Sequence, residues 1–369
     1  MRKFFSIVLM ISLISVLSFG GGTIKIGVDF PMTGVVAGFG QMTLDGVKLA
    51  HEMYPTVLGK QIELVVMDNK SDKTEAANAA ARLIEKERVK AIIGCICSSN
   101  TLSAGPIAER AHVPMVSNAS TNPLVTQGKK YVFRVCFVDP FQGKAAAIFA
   151  YNKLGVRKAA VILEVSQDYS ISLAKFFKET FKKLGGKITK TLFYVTGDQD
   201  FTAQLTSVLA TRPEVLFVPG YYPEISLLVR QARQMGYKGY VLCGDGAEAP
   251  ELIKIGGKAV EGLYYVTHFD PKMAASEMTG KFVDAYTKKY HKGTDALGAL
   301  GFDAYLVLRD AIQRAGSDDP QKIRDALEST KGFKGATGII TIHHGDPTKS
   351  AVIKKVENGK FVYAGFVNP

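Results

Sequence analysis

The chain has 369 residues, 47% of them hydrophobic and 22% charged, with a formal net charge of +12. That length suits about two domains of ~150 residues each, and the apolar content excludes a disordered chain. The lysines are spread along the sequence, in no run longer than pairs such as Lys129-Lys130 and Lys182-Lys183, so the charge reads as a solvated surface without a nucleic-acid partner.

The N-terminus reads as an export leader, residues 1–20. Arg2 and Lys3 are basic, and Phe4 to Phe19 is apolar apart from serines. Ser18 and Gly20 put small residues at the −3 and −1 positions of a cleavage site after Gly20. The run is shorter than the ~20 residues that span a bilayer. No cysteine lies near the cut for lipid attachment, and the expected location of the mature protein is the periplasm.

From Ile24 onward, short apolar runs alternate with amphipathic helical stretches. Strands are expected at Ile24–Phe30, Ile62–Asp68, Ala91–Gly94, Pro114–Ser117 and Tyr131–Val135. Helices fall between them at Gln41–Tyr54, Lys73–Glu87 and Thr101–His112, the last capped by Asn100 or Ser99 with Pro106 near its first turn. The strands are continuous apolar runs, as in a parallel sheet covered on both faces. The rhythm restarts near Phe141. Helices Phe141–Leu154, Ser170–Leu184, Phe201–Ala210, Glu224–Met235 and Glu248–Ile255 alternate with strands Ala159–Val165, Ile188–Val195, Val215–Pro219, Tyr240–Gly244 and Leu263–Phe269.

Two such series imply an α/β fold of two doubly wound, Rossmann-like lobes with parallel sheets. A third section, with helices Ser276–Tyr290, Gly301–Ala315 and Pro320–Glu328 and strand Ile339–His343, is too small for a domain and should complete the earlier lobes. The tail Ala351–Phe366 is split by Asn358-Gly359, the strongest short hairpin signal. Lobe one is therefore assigned 24–141 plus 270–349, and lobe two 142–269 plus 350–369, joined by about three crossovers.

Enzymatic signatures are missing from the sequence. Gly34, Gly38 and Gly40 have the wrong spacing for a dinucleotide loop, and neither a phosphate-binding loop nor a nucleophile elbow occurs. The six histidines show no metal-ligand spacing, so they read as ordinary surface or core residues, and no metal or cofactor is expected. Cys95, Cys97, Cys136 and Cys243 are too few for a disulfide scaffold. They read as small buried hydrophobes, with one disulfide left open.

Polar residues instead gather where strands end, the position at which open α/β sheets bind ligands. Cys97-Ser98-Ser99-Asn100-Thr101 joins a strand to a helix, and its hydroxyls and free N–H groups suit a carboxylate. Ser117 to Pro123 is again hydroxyl-rich. In the second series, Gly220-Tyr221-Tyr222-Pro223-Glu224 and Gly244-Asp245-Gly246 occupy the equivalent ends. Asp245, flanked by glycines, is expected to be free to meet a cation. One lobe thus offers carboxylate donors and the other an anion for an ammonium, the two handles of an α-amino acid.

At these residues the chain resembles the leucine/isoleucine/valine-binding proteins of bacterial ABC transporters, of the type I periplasmic binding protein fold. The resemblance runs from Ile24 to about Phe366. It is carried by Ile24-Lys25-Ile26-Gly27 through Thr33-Gly34, Phe39-Gly40 and Gly46, by the segment from Cys97 to Thr101, and by the segment from Gly220 to Glu224 followed by Arg230-Gln231-Ala232. It implies that Ser98 and Thr121 hold the ligand carboxylate and that the Ala119 carbonyl and the Thr121 hydroxyl accept from the ammonium. Asp245 would face that ammonium beside Tyr221, and Tyr169 and Phe39 would flank the ligand. Phe39 stands where the family often has tyrosine, and Asp245 where glutamate is common. A family cysteine near Ser71, which would pair at the position of Cys97, is missing. The implied role is a monomeric receptor that captures an apolar amino acid by hinge closure and delivers it to a membrane permease. The alternative is a same-fold sensor for small amides or short-chain or aromatic carboxylic acids.

Overall fold

In the computed structural model, which describes residues 22–273 and 276–369, the apolar runs of the first series form a six-stranded sheet. Its elements are β1 (Thr23–Phe30), α1 (Ala37–Met53), β2 (Thr56–Val57), β3 (Lys60–Asp68), α2 (Lys73–Glu85), β4 (Ala91–Gly94), α3 (Ser98–Ala111), β5 (Met115–Ser117) and β6 (Val132–Arg134). The order is β2-β3-β1-β4-β5-β6, parallel from β3 to β6. Ile24, Ile26, Val28 and Phe30 are fully buried, as are all four residues of β4. Helices on both faces of the sheet account for these continuous apolar strands. The expected leader lies outside the described residues.

The second series comprises α4 (Asp139–Ile148), β7 (Lys158–Glu164), α5 (Asp168–Lys183), β8 (Lys187–Tyr194), α6 (Thr202–Leu209), β9 (Val215–Val218), α7 (Tyr222–Gln234), β10 (Tyr240–Cys243), α8 (Pro250–Gly256) and β11 (Tyr264–Thr267). Then come α9 (Glu277–Tyr290), α10 (Ala296–Ala315), α11 (Pro320–Glu328), β12 (Phe333–Gly335), β13 (Gly338–Ile340), β14 (Ile342–His343), β15 (Asp346–Pro347), β16 (Ala351–Glu357) and β17 (Lys360–Val367). The second sheet runs β17-β16-β11-β10-β9-β7-β8. The sheets are mixed, not purely parallel: β2 pairs antiparallel with β3, and β16 with both β11 and β17. Asn358 and Gly359, at φ 53° and 67°, form the turn between β16 and β17, and a tight hairpin reverses direction at the sheet edge by necessity.

Several boundaries move. α3 begins three residues early with Cys97 as its N-cap, so Ser99 and Asn100 lie inside the first turn instead of capping it, and Pro106 sits well inside the helix. α10 begins at Ala296, five residues before the sequence suggests, because Asp295 Oδ1 accepts from the Gly298 N–H at 2.6 Å. α4 begins at Asp139 and gives way to a π turn over Phe149–Lys153. The expected strand at Ile339–His343 divides into β13 and β14.

The chain passes between the two sheets after β6, after β11 and before β16. These passages are tied to one another. The fully buried Arg134 pairs with Asp346 at 2.7 Å and donates to the Ser120 carbonyl at 2.6 Å. Lys349 Nζ donates to the Val135 carbonyl at 3.0 Å, and Lys354 pairs with Glu248 at 3.1 Å and Asp270 at 3.7 Å. α10 packs so closely on α1 that a Cβ on Gly46 would lie 1.8 Å from the Gly298 carbonyl oxygen. Among the described residues no helix is long and apolar enough to cross a membrane.

Candidate functional site

In the first sheet β1 lies between β3 and β4, and in the second β7 lies between β8 and β9. Connections leaving such neighbouring strands diverge to opposite sides, which opens a crevice at their carboxyl ends. α1 follows β1 and brings Phe39, while α3 follows β4 and brings Ser98. Across from them, α5 follows β7 and brings Tyr169, Tyr221 follows β9, and Asp245 follows β10. Phe39, Ser98, Ala119, Tyr169, Tyr221 and Asp245 line one cavity, together with Ile96, Cys97, Gly246 and Leu297. It is narrow: about 300 Å³ is free of atoms, counting the solvent at its mouth, and only about 20 Å³ is wide enough for the centre of a water molecule.

One wall is the N-terminus of α3. The first N–H groups of a helix have no intrahelical acceptor and carry partial positive charge, so this end suits a carboxylate. Ser98 Oγ accepts from the Asn122 N–H at 3.2 Å, which fastens the loop carrying Ala119 to that helix end. Aromatic rings form the middle of the cavity. Tyr169 stacks on Tyr221 with centroids 5.4 Å apart and planes 12° apart, and Phe39 meets Tyr221 edge-on at 5.8 Å. The Tyr169 hydroxyl accepts from the Gly246 N–H at 3.2 Å. Burial pushes the Tyr169 and Tyr221 phenols well up, so both are neutral.

The far wall is Asp245, and it is not free. Its Oδ1 accepts from Gln142 Nε2 at 2.7 Å and its Oδ2 lies 2.8 Å from His268 Nε2. His268 is buried and stacked on Phe137, with centroids 3.7 Å apart. The flanking glycines serve packing instead of freedom. A Cβ at Gly244 would fall 2.3 Å from the Tyr169 hydroxyl, and one at Gly246 2.2 Å from the Gly220 carbonyl. The carboxylate is thus presented in a fixed orientation, with lone pairs left for a further donor.

Residues 23–360 match the family model described as periplasmic binding protein. The chain belongs to that family. It is 31% identical, over 88% of its length and 86% of the relative's, to a leucine-, isoleucine-, valine-, threonine-, and alanine-binding protein of Pseudomonas aeruginosa. The crystal structure of a leucine-binding protein, LivK, of Thermotoga maritima superposes with a TM-score of 0.93 at 54% identity, covering 94% of this chain and 99% of that one. LivJ of Streptococcus pneumoniae, a branched-chain amino acid transporter substrate-binding protein solved with isoleucine, gives 0.89 at 33% identity, covering 94% and 100%.

Within this periplasmic binding protein, one expected site residue stands apart. Thr121 is fully buried and is not among the residues that line the cavity. It lies beside Asp139, whose carboxyl burial pushes up to about 7 even with the Thr121 and Ser172 hydroxyls close by. Where the family pattern has a cysteine near Ser71, the Ser71 hydroxyl donates to the Thr33 carbonyl at 3.0 Å and accepts from the Val36 N–H at 3.2 Å. All four cysteines are free and buried. Sequence reasoning missed Gln142 and His268. The strand-end rule that selected Asp245 would also have selected His268, which follows β11 directly. Gln142 gives no local signal, because the start of α4 brings it to Asp245 only through the tertiary fold.

Proposed function

We propose that this chain captures an α-amino acid with a branched apolar side chain between its two lobes, and hands it to the membrane permease of an ABC importer. The observation that carries this reading is the cavity itself, with the α3 N-terminus at one wall, Asp245 at the other and an apolar wall of Phe39, Tyr221 and Leu297 between them. An α-amino acid has a carboxylate and an ammonium at one end and its side chain at the other, which fits that distribution. The names of the relatives from Thermotoga maritima and Streptococcus pneumoniae support the same ligand class. The solute meets the lobe of Ser98, Ala119 and Thr121 first. Closure then brings Tyr169, Tyr221 and Asp245 over it and strengthens the charge-assisted contacts by excluding water. Export with removal of residues 1–20 and action as a monomer outside the cytoplasm belong to the same proposal. Intact mass of the exported protein tests the cut.

The deciding experiment is a thermal-shift screen of residues 21–369 against the twenty amino acids and small carboxylic acids. A ligand at about 100 times its Kd adds roughly 2.7 kcal/mol of stability, a readily measured rise in Tm. Leucine, isoleucine or valine should give the largest shifts. A second reading, a receptor for carboxylic acids without an ammonium, is favoured by one observation: Asp245 already holds Gln142 and His268. Shifts confined to acids such as benzoate or 4-methylpentanoate would establish that reading and remove the first.

A further inference from the structure

Two helices from different lobes meet end to end. α3 begins at Ser98 and α5 at Asp168, and each N-terminus carries the equivalent of roughly half a positive charge. Two such ends repel when brought together, unless an anion lies between them. Asp168 supplies it. Its Oδ2 accepts from Ser99 Oγ at 2.8 Å, and its own backbone N–H donates back to that hydroxyl at 2.9 Å. From the loop that carries Ala119, Asn122 Nδ2 donates to the Asp168 carbonyl at 2.9 Å. Three bonds from two separate segments of one lobe converge on a single residue of the other. None of Asp168, Ser99 and Asn122 lines the cavity.

We propose that Asp168 is the clasp of the closed form: it sets how long a captured solute is held without touching it. This rests on the reading that the lobes close over an amino acid. The three bonds join segments that follow strands of different sheets, so they exist only while the lobes are in contact. Losing them raises the free energy of the closed arrangement relative to an open one, and the apparent affinity falls with the closed population. The loss belongs in dissociation, because encounter with the open form involves none of the three bonds.

The test is stopped-flow release of leucine from wild type and from the variants Asp168→Asn, Asp168→Ala, Ser99→Ala and Asp168→Ala/Ser99→Ala. Interlobe distances between paired spin labels are measured on the same proteins without ligand. Release should be faster by about 5- to 30-fold in Asp168→Ala, which removes one partly exposed hydrogen bond to a charged group. It should be faster by at least as much in Ser99→Ala, which removes that bond and the one from the Asp168 N–H. Asp168→Asn, which keeps the shape and loses the charge, should fall between wild type and Asp168→Ala. The double variant should release no more than about twofold faster than Ser99→Ala, since the one bond that Asp168→Ala removes is already lost when Ser99 is truncated. Association rates should stay within about threefold, and the label distances should broaden toward open values. Asp168→Ala also removes an acidic residue from the first turn of α5, so its Tm falls for local reasons, whereas Ser99→Ala leaves α5 intact. Wild-type release rates in both single variants, or single effects that multiply in the double, would overturn the clasp. If wild type binds no leucine, the capture reading fails and the label distances alone judge the clasp, which is refuted when Asp168→Ala leaves them unchanged.

Discussion

Asp245 gives the sharpest test of how the site recognises its ligand. Its carboxylate is fixed by Gln142 at 2.7 Å and His268 at 2.8 Å, so it meets an incoming ammonium without first being ordered. Asp245→Ala removes that charged partner and leaves two buried donors unpaired. A hydrogen bond to a charged group contributes about 1.5–3 kcal/mol, so leucine affinity should fall roughly 10- to 150-fold. Asp245→Asn keeps the volume and one acceptor, and loses only the difference between a charge-assisted and a neutral bond. That difference of about 1–1.5 kcal/mol predicts a loss of roughly 5- to 12-fold. Isothermal titration with leucine and with 4-methylpentanoate, which lacks the ammonium, reads both effects. Neither substitution should weaken binding of the acid as much as that of leucine. If Asp245→Asn binds leucine within twofold of wild type and the acid binds equally tightly, Asp245 is an internal partner of Gln142 and His268, and the amino-acid reading of this wall is wrong.

Three further outcomes follow from the packing and the buried groups. Gly46→Ala would drive a methyl into the Gly298 carbonyl, 1.8 Å away. The forced separation of α1 and α10 should cost about 1–3 kcal/mol, read as a Tm lower by several degrees. It should also weaken leucine binding, because α10 carries Leu297. Burial holds Asp29 and Asp139 up to about 7 and Asp295 up to about 6, against 3.8 for a free aspartate. These groups bind protons more tightly folded than unfolded, so their contribution is fully present below about pH 4 and is lost as pH rises through 7. Tm should therefore drop between pH 5 and 8, and Asp29→Asn, which can keep the contacts to Asn69 and Cys95, should flatten that slope in a pH series of thermal melts. Burial likewise pushes the Cys97 and Cys136 thiols up to about 12. A thiol reagent should label no cysteine in the native protein and four after denaturation; rapid native labelling would contradict the burial.

The alternation of apolar runs with amphipathic stretches was enough to read two doubly wound units and the strands at their centres. β4 and α11 fall where the sequence places them, because four consecutive apolar residues and a proline-initiated amphipathic turn are locally determined. Asn358-Gly359 likewise fixes its hairpin through backbone conformation alone. Strand-end position also selected six of the cavity residues. The first turn of α10 escaped, since Ala296 to Leu300 is apolar and glycine-rich, with no visible start. It is set by the Asp295 cap and by Glu248, which reaches the Ala296 N–H from the other lobe at 3.3 Å. The antiparallel edges escaped for a similar reason, because β16 joins β11 only after the chain has returned from the other lobe.

The sequence by itself determined which segments become strands and helices and which polar residues stand at strand ends, because those follow from side-chain periodicity and local backbone preference. Only the tertiary structure decided that Asp245 is held by Gln142 and His268 and that Asp168 meets Ser99. Each of these depends on groups 23 to 103 residues apart being brought within hydrogen-bond distance. Local propensity says nothing about such meetings; they are settled when two covered sheets turn their carboxyl ends toward one another.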